Sequence, residues 1–345
     1  MQSISARATP SAGSPFEPVT IQLRDLGPQD ILIAILYSGI CHSDIHTGRD
    51  EWGAAHYPLV PGHEIAGVVE AVGEQVSNYS TGDRVGVGCL VDSCRTCKHC
   101  IAGNEQFCSD GVGTYNSMGR DGRPTNGGYS THIVVDERFV VGIPDSLALD
   151  VAAPLMCAGI TLFSPLRHWK VSAESRVAIV GLGGLGHVGV KLAAAMGAHV
   201  TVLSRSPSKE ADAVSMGASR YVSTNDAAAL EKVRSSFDLI INTVSAPVNL
   251  DTYLGLLDVD GTLVNVGAPP EPLSLHVFSL VEGRRSFAGS PIGGLPQTQE
   301  MLDFCGQHGI GATIELIAAN DIDNAWDRVV ASDVRYRFVI ETATI

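Results

Sequence analysis

Nowhere in this 345-residue sequence does an apolar run approach the roughly 20 residues that a bilayer-spanning helix requires. Positive charge is also in short supply, with 23 Lys and Arg against 37 Asp and Glu and a net charge of −14. That balance repels nucleic acid and anionic membrane surfaces, so no nucleic acid and no membrane is expected as a partner. Residues 1–15 are small and polar and lack the apolar core of a secretory signal, which makes the cytoplasm the expected location. Internal repeats and low-complexity tracts are missing as well. Eight cysteines are too few for a disulfide scaffold in a chain of this length. What remains is a globular protein, 45% hydrophobic and 17% charged, long enough for two domains with a core each.

Four of the eight cysteines, Cys94, Cys97, Cys100 and Cys108, crowd into fifteen residues. In a reducing compartment such crowding points to metal rather than to disulfides. Two-residue gaps let successive sulfurs converge on one ion about 2.3 Å from each. Four thiolates close the tetrahedron, so a zinc ion held there has no vacant position and is structural. The neighbouring Arg95 and Lys98 are expected to ease its formal charge of about −2.

A second concentration of reactive groups begins at Cys41-His42-Ser43-Asp44-Ile45-His46 and resumes at Pro61-Gly62-His63-Glu64. One Cys and one His, with a third ligand from further along, would hold a zinc and leave a coordination position open for chemistry. A buried free cysteine beside surface histidines fits the same residues, and this stretch alone leaves the two readings level.

Up to about residue 150, short apolar runs alternate with turn signals. Residues 31–36, 65–71, 84–87 and 131–135 predict strands, separated by Val72-Gly73, Thr81-Gly82-Asp83 and Asn126-Gly127-Gly128. The expectation is an all-β-like domain, a partly open barrel, ended by Pro144-Asp145-Ser146. From about residue 175 the rhythm changes. Strands are predicted over 176–180, 199–203, 237–242, 261–266 and 286–289, with helices over 186–196 and 207–216. Alternation of this kind predicts an α/β fold with a doubly wound parallel sheet. A helix over 298–305 and a strand over 336–340 are expected to return to the first domain.

Gly181-Leu182-Gly183-Gly184-Leu185-Gly186 follows the first of these strands and opens a helix, which is the context that dinucleotide binding requires. Glycines there permit a tight turn, close approach of backbone to a pyrophosphate, and close packing of helix on strand. The helix N-terminus then offers free N–H groups to the phosphates. At the end of the second strand, an acidic residue would bond the ribose 2′-OH of NAD. This sequence has Ser204-Arg205-Ser206 instead, with Lys209 one turn on. A guanidinium, an ammonium and two hydroxyls suit a 2′-phosphate, so NADP(H) is the expected cofactor. A solvated basic surface is the blander use of the same residues.

A Cys/His stretch, a four-cysteine lobe and a nucleotide-binding half, in this order, resemble the zinc-dependent alcohol dehydrogenases of the medium-chain dehydrogenase/reductase superfamily. Gly62-His63-Glu64 followed by Ala66-Gly67-Val68-Val69 is similar to that family's zinc signature. Cys41 to His46, Tyr57-Pro58-Leu59-Val60-Pro61-Gly62-His63-Glu64 and Cys157-Ala158-Gly159-Ile160-Thr161 resemble its cinnamyl-alcohol-dehydrogenase-type branch, which includes NADP-dependent aldehyde reductases. The resemblance covers residues 31–340. It implies a GroES-like β-rich catalytic domain over 1–153, a Rossmann NADP-binding domain over 154–293, and a return to the catalytic domain over 294–345. It also implies that Cys41, His63 and Cys157 hold a catalytic zinc, that Glu64 is an alternate ligand, and that Asp44 orients His63 through its second ring nitrogen. Two zinc ions per chain follow.

The implied reaction is reversible reduction of aryl, allylic or medium-chain aliphatic aldehydes to primary alcohols with NADPH. Zinc would act as Lewis acid on the substrate oxygen, and hydride would pass directly between substrate carbon and nicotinamide. The family's proton relay matches Ser43, the nicotinamide ribose and then His46 near solvent. Ser43 and His46 are three apart and share a face on a helical turn. Further implied cofactor contacts are Thr161, Thr243, Gly267, Ser290 and Ile292, while Pro291 departs from the more usual aromatic. Trp52 and Tyr57 are expected to line the substrate pocket. A homodimer or homotetramer meeting near residues 286–292 is implied too. The alternatives are a zinc polyol or secondary-alcohol dehydrogenase and a non-catalytic NADP-binding protein. A missing acidic residue after the second strand counts against the former, and a full ligand set against the latter. His42 acquires no role.

Overall fold

Alternating isoleucines account for the strand around which the first sheet is built. In the computed structural model, which describes residues 2–269 and 271–345, Asp30–Gly39 forms a ten-residue strand with Ile31, Ile33 and Ile35 buried. Burying such a side chain contributes about 1.5–3 kcal/mol, which fixes the face the strand turns inward. Ile65–Val72 pairs antiparallel along one side. His132–Asp136 and Arg337–Glu341 also pair antiparallel with it, the latter opposite Tyr37 to Gly39. Arg84–Val87 and Val141–Gly142 extend the sheet beyond Ile65–Val72, and Ile314–Ile317 extends it beyond Arg337–Glu341. Residues from both ends of the sequence are therefore woven into one sheet.

By compactness the chain divides into two units. One comprises the chain up to Ile160 together with Gly293–Ile345, and the other comprises Thr161–Ile292. Two apolar clusters stand out among the described residues of the first unit. Ile31, Ile33, Ile65, Val85, Val87, Ile133 and Phe139 form one. Ala6, Ala8, Ile40, Ile45, Tyr129, Trp326 and Phe338 form the other. Trp326 Nε1 donates to the Tyr129 hydroxyl at 3.2 Å, so the largest side chains there keep their polar atoms satisfied.

The second unit is a six-stranded parallel sheet. Its order is Arg220–Ser223, His199–Ser204, Arg176–Val180, Phe237–Asn242, Leu257–Asn265 and Ser286–Gly289. The inner strands are buried almost throughout, as expected of a parallel sheet. Strand order reverses between Arg176–Val180 and Phe237–Asn242. The carboxyl ends of these two strands thus flank a switch point, where open α/β sheets bind ligands.

Four details differ from expectation. A hairpin of Ser3–Ala8 and Glu17–Gln22 precedes the first predicted strand. Its inward positions include Ala6 and Ala8, too small to leave an apolar alternation in the sequence. The four-residue edge strand Arg220–Ser223 is also new, and only Val222 in it is buried. The helix expected over 207–216 opens as a tight 3-10 turn at Pro207–Lys209 before Glu210–Ser215. The strand expected to begin at Gly261 starts at Leu257. No single helix among the described residues is long and apolar enough to cross a membrane.

Candidate active site and metal centres

The strand Asp30–Gly39 delivers the chain to Cys41, which caps the helix His42–Gly48. Asp44, at the third helical position, accepts the Cys41 backbone N–H through Oδ2 at 2.9 Å, as a capping box demands. Its other oxygen meets His63 Nδ1 at 3.0 Å and the Gly62 N–H at 3.3 Å. One fully buried carboxylate therefore ties together the backbone of one candidate ligand and the ring of another. With Nδ1 committed to Asp44, Nε2 is the nitrogen left for a metal.

Cys41, His63, Glu64 and Cys157 converge, one donor atom from each lying within 4.8 Å of the others, and all four residues are buried. The sulfurs of Cys41 and Cys157 are 3.8 Å apart. Two thiolates on one tetrahedral zinc, at about 2.3 Å each, stand about 3.8 Å apart, so the spacing fits the ion. Glu64 Oε1 faces the buried Arg337 guanidinium in an ion pair. Its Oε2 has no hydrogen-bond partner among the described residues, an orphan that a cation would satisfy. A side chain on Gly39 would collide with Glu64, so that position holds glycine for want of room.

Electrostatics agree with a cation site. Burial alone would lower the His63 pKa, but Asp44 and the thiols of Cys89 and Cys41 outweigh it and hold it well above the usual value. A hydrogen bond from Cys157 draws the Cys41 thiol well below its ordinary pKa, while sharing that proton pushes Cys157 up. Cys89, unassigned in the sequence, adds a thiol within bonding reach of Cys157.

Around this cluster the helix arranges the other named residues. The Ser43 hydroxyl lies 3.7 Å from Cys41 Sγ. His46 differs from expectation: its ring is buried rather than near solvent. His46 Nδ1 instead meets Glu51, whose side chain is 37% exposed, and its Nε2 has no hydrogen-bond partner among the described residues. Trp52 stacks on His46 with centroids 4.8 Å apart, and His42 lies 4.7 Å from the same ring. The Tyr57 hydroxyl donates to the Gly48 carbonyl at 3.1 Å. Glu51 and Arg337 escaped sequence reasoning because neither belongs to a spacing pattern.

In the lobe, the four sulfurs of Cys94, Cys97, Cys100 and Cys108 also lie within 4.8 Å of one another, and all four residues are half-buried. Cys94 and Cys100 are 3.8 Å apart, and Cys97 and Cys100 3.5 Å, again a spacing that one zinc ion bridges. Backbone N–H groups of Cys97 and Cys100 point at the preceding sulfurs at 3.3 and 3.5 Å, and that of Asp110 at Cys108 at 3.4 Å. Such donors, from Thr96 and Cys97 first, lower the Cys94 pKa to about 6. The backbone thus does what was expected of Arg95, which turns instead to Asp92 at 2.8 Å and Asp136 at 3.1 Å. Lys98 is exposed.

In the second unit the glycine-rich turn has three distinct steric requirements. Gly181 sits at φ 89°, a turn conformation that other residues resist. A Cβ on Gly183 would meet nothing within 4 Å, leaving open space against the backbone. A Cβ on Gly186 would collide with the Gly181 carbonyl, so helix and turn touch there. Tight turn, open approach and close packing are the features a pyrophosphate cradle needs, with Leu182, Gly184 and Leu185 completing it. His187, buried and with its pKa lowered to about 3 chiefly by burial, meets the Gly183 carbonyl through Nδ1 at 3.1 Å.

At the end of the next strand Ser204 is buried, while Arg205 and Ser206 are exposed and Lys209 is half-buried. Lys209 Nζ donates to the Leu182 carbonyl at 2.9 Å, tying this loop to the glycine turn. Tyr221 and Asn225, unforeseen, anchor the loop's backbone by donating to Ser206 O at 2.7 Å and Arg205 O at 3.3 Å. Across the switch point, the Thr243 hydroxyl donates to Val180 O at 2.8 Å. A ladder of amides, Asn242 to Asn265 at 2.7 Å and Asn265 to Gly267 O at 2.6 Å, steadies the neighbouring strand ends. Thr161 is buried on the helix Ala158–His168, and Ser290 and Ile292 are half-buried after the last parallel strand.

Comparison with known proteins gives concordant matches. Residues 27–145 match the family described as alcohol dehydrogenase GroES-like domain, and residues 184–307 match zinc-binding dehydrogenase. The NADP-dependent alcohol dehydrogenase C of Mycobacterium bovis is 59% identical over 346 residues, covering 100% of both chains. A solved cinnamyl alcohol dehydrogenase from Sorghum bicolor superposes with a TM-score of 0.97 at 43% identity, covering 99% of this chain and 98% of the other. The cinnamyl alcohol dehydrogenase of Helicobacter pylori, solved in complex with NADP(H), gives 0.94 at 42% identity with the same coverage.

Proposed function

This chain belongs to the zinc-type alcohol dehydrogenase family, and on that premise we propose that it interconverts aldehydes and primary alcohols with NADP(H). The convergence of Cys41, His63 and Cys157 around one point, with Glu64 beside them and Asp44 behind, carries the proposal. These three residues would hold the catalytic zinc, and Cys94, Cys97, Cys100 and Cys108 a structural one. Bound at the first site, zinc supplies Lewis-acid polarisation of the substrate oxygen. Gly181 to Gly186 would hold NADPH, with Ser204, Arg205, Ser206 and Lys209 available to its 2′-phosphate, and the bound cofactor would supply the hydride. We assign the catalytic part to residues 1–153 and 294–345 and the cofactor-binding part to 154–293.

The chain's own residues handle geometry and protons. Asp44 keeps His63 protonated at Nδ1, so that Nε2 faces the cluster. Ser43, beside Cys41, exchanges a proton with the substrate oxygen. In alcohol oxidation His46 would take that proton onward by way of the nicotinamide ribose and pass it through its Nδ1 contact to Glu51, which reaches solvent, and aldehyde reduction would draw a proton inward along the same path. The relay thus ends on a carboxylate rather than on an exposed imidazole. Trp52, 46% exposed and stacked on His46, offers an aromatic wall that favours aryl and allylic aldehydes. The Tyr57 hydroxyl is committed to Gly48, which leaves its ring for apolar contact. Thr161, Thr243, Gly267, Ser290 and Ile292 are assigned to the cofactor.

We further infer a cytoplasmic homodimer or homotetramer. None of the eight cysteines is paired in a disulfide, as a reducing compartment maintains them. Ser286–Gly289 is an edge strand with exposed Phe287, open to pairing with a second copy. A panel of aliphatic, aryl and terpenoid aldehydes and of polyols, assayed with NADPH and NADH alongside metal content, tests the assignment. The expected result is two zinc ions per chain and higher kcat/KM for aryl or allylic aldehydes with NADPH. Equal use of NADH, or preference for polyols, would defeat it.

A further inference from the structure

Tyr115 has no part in the mechanism above, yet it reaches the catalytic cluster from the cysteine lobe. Leu90–Asp92 and Val112–Gly113 pair antiparallel as the base of that lobe, and all four lobe cysteines lie in the chain between them. Two residues beyond this base, the Tyr115 ring stacks on His63 with centroids 5.7 Å apart and planes inclined by 23°. Its hydroxyl lies within electrostatic reach of Asp44, the carboxylate that also holds His63 Nδ1, and of Thr47 on the same helix. Asn116 accepts the His56 N–H at 2.8 Å and donates to Ala54 O at 3.4 Å, so this tip also pins the loop after Trp52. Behind it, Ser117 Oγ accepts the Gly113 N–H and Thr125 Oγ1 the Ser117 N–H, each at 3.1 Å, which braces the turn.

A single in-plane hydrogen bond from His63 Nδ1 to Asp44 sets where that nitrogen points. It leaves the ring free to tip about the bond axis, carrying Nε2 out of line with Cys41 and Cys157. A roughly parallel aromatic ring packed beside the imidazole resists that motion, and the hydroxyl's interaction with Asp44 adds to it. We propose that Tyr115 is a positioning residue for the catalytic metal, and that the cysteine lobe serves the reaction by holding Tyr115 against His63. The proposal rests on the assignment of the catalytic zinc to Cys41, His63 and Cys157.

Tyr115→Leu removes ring and hydroxyl, and Tyr115→Phe removes the hydroxyl alone. Zinc content, the rate of zinc transfer to a chelator, the visible spectrum of the cobalt-loaded protein and Tm are measured for both and for wild type. Outer-shell substitutions typically cost about 10–100-fold in metal affinity, and Tyr115→Leu is expected within that range at the catalytic site. Tyr115→Phe, which keeps the stack, is expected to lose less, with the lobe ion retained in both and the cobalt bands of the catalytic site displaced. Wild-type affinity and spectrum in Tyr115→Leu, with or without a lowered Tm, would show a merely structural residue and overturn the proposal. Should Tyr115→Leu fail to fold, an unchanged transfer rate in Tyr115→Met, which likewise lacks the ring, overturns it. A wild-type protein holding one zinc per chain, in the lobe, would instead overturn the catalytic-metal assignment and this proposal with it.

Discussion

The lobe cluster draws four sulfurs from fifteen consecutive residues and leaves them half-buried, with backbone N–H groups pointing at them. The catalytic cluster draws on both sides of a 116-residue interval, between Cys41 and Cys157, and is buried. Formal charge explains why the two settings are not interchangeable. Four thiolates around a zinc ion leave an excess of about two negative charges, tolerable where amide donors and solvent reach them. Two thiolates and a neutral imidazole cancel the ion, which suits a buried place, and Arg337 offsets the carboxylate of Glu64 alongside. The comparison teaches that a closed site is a local device, made by one loop. The second site is assembled by the fold, because Cys157 reaches Cys41 from 116 residues away while Asp44 supports His63 from the helix that Cys41 caps.

That contrast can be tested by damaging each cluster in turn. Cys108→Ser should release the lobe ion and cost several kcal/mol of folding free energy, lowering Tm by on the order of 10 °C in a thermal melt. Retention of the full Tm would mean that the lobe folds without its metal. Next in size, Cys157→Ser should reduce zinc from two ions to one and lower kcat/KM by about 10³-fold, the equivalent of several kcal/mol of lost polarisation. A melt close to wild type would complete the distinction, as expected of a site proposed to serve chemistry rather than folding. Asp44→Asn keeps the size of the side chain but turns one acceptor oxygen into a donor facing His63 or Cys41. Competition with a chelator should show about 10–100-fold weaker retention of the catalytic ion and no change at the lobe. The smallest effect belongs to Arg120, 44% exposed, which bridges Asp92 at 3.2 Å and Asp110 at 3.0 Å on the lobe's surface. Arg120→Ala should cost about 0–1 kcal/mol, and a larger loss would mean that ion pairs as well as metal hold the lobe.

The same contrast governs what could be read before the structure. The spacing of Cys94, Cys97, Cys100 and Cys108 specifies a site by itself, because the residues that meet in space are neighbours in the chain. Strands with β-branched runs, such as Arg176–Val180 and Phe237–Asn242, and the glycine turn between strand and helix were legible for a similar reason: each is a local pattern. Cys157 stood in an apolar context with no such pattern, and resemblance to a family was needed to join it to Cys41 and His63. The return of the last strand to the first domain was expected, but the side-chain pairings between remote elements were not. Arg337 reaches Glu64 because the last strand lies beside Asp30–Gly39, and Tyr115 reaches His63 because the lobe folds back. The burial of His46 was missed too, since a histidine three residues from Ser43 looks the same in sequence whether Trp52 covers it or water does.

The strand Arg337–Glu341 has a bearing on how the molecule is made. It pairs with Tyr37 to Gly39 and sets Arg337 against Glu64, within the unit that the N-terminal half begins. A ribosome releases the chain from its N-terminus, and domains ordinarily fold in that order as they emerge. Here Thr161–Ile292 is continuous and is complete before the first unit has its last strands. The second unit to begin synthesis is therefore the first able to finish. Until Arg337 leaves the exit tunnel, Glu64 lacks its arginine, so the fully supported site for the proposed catalytic ion waits on that strand.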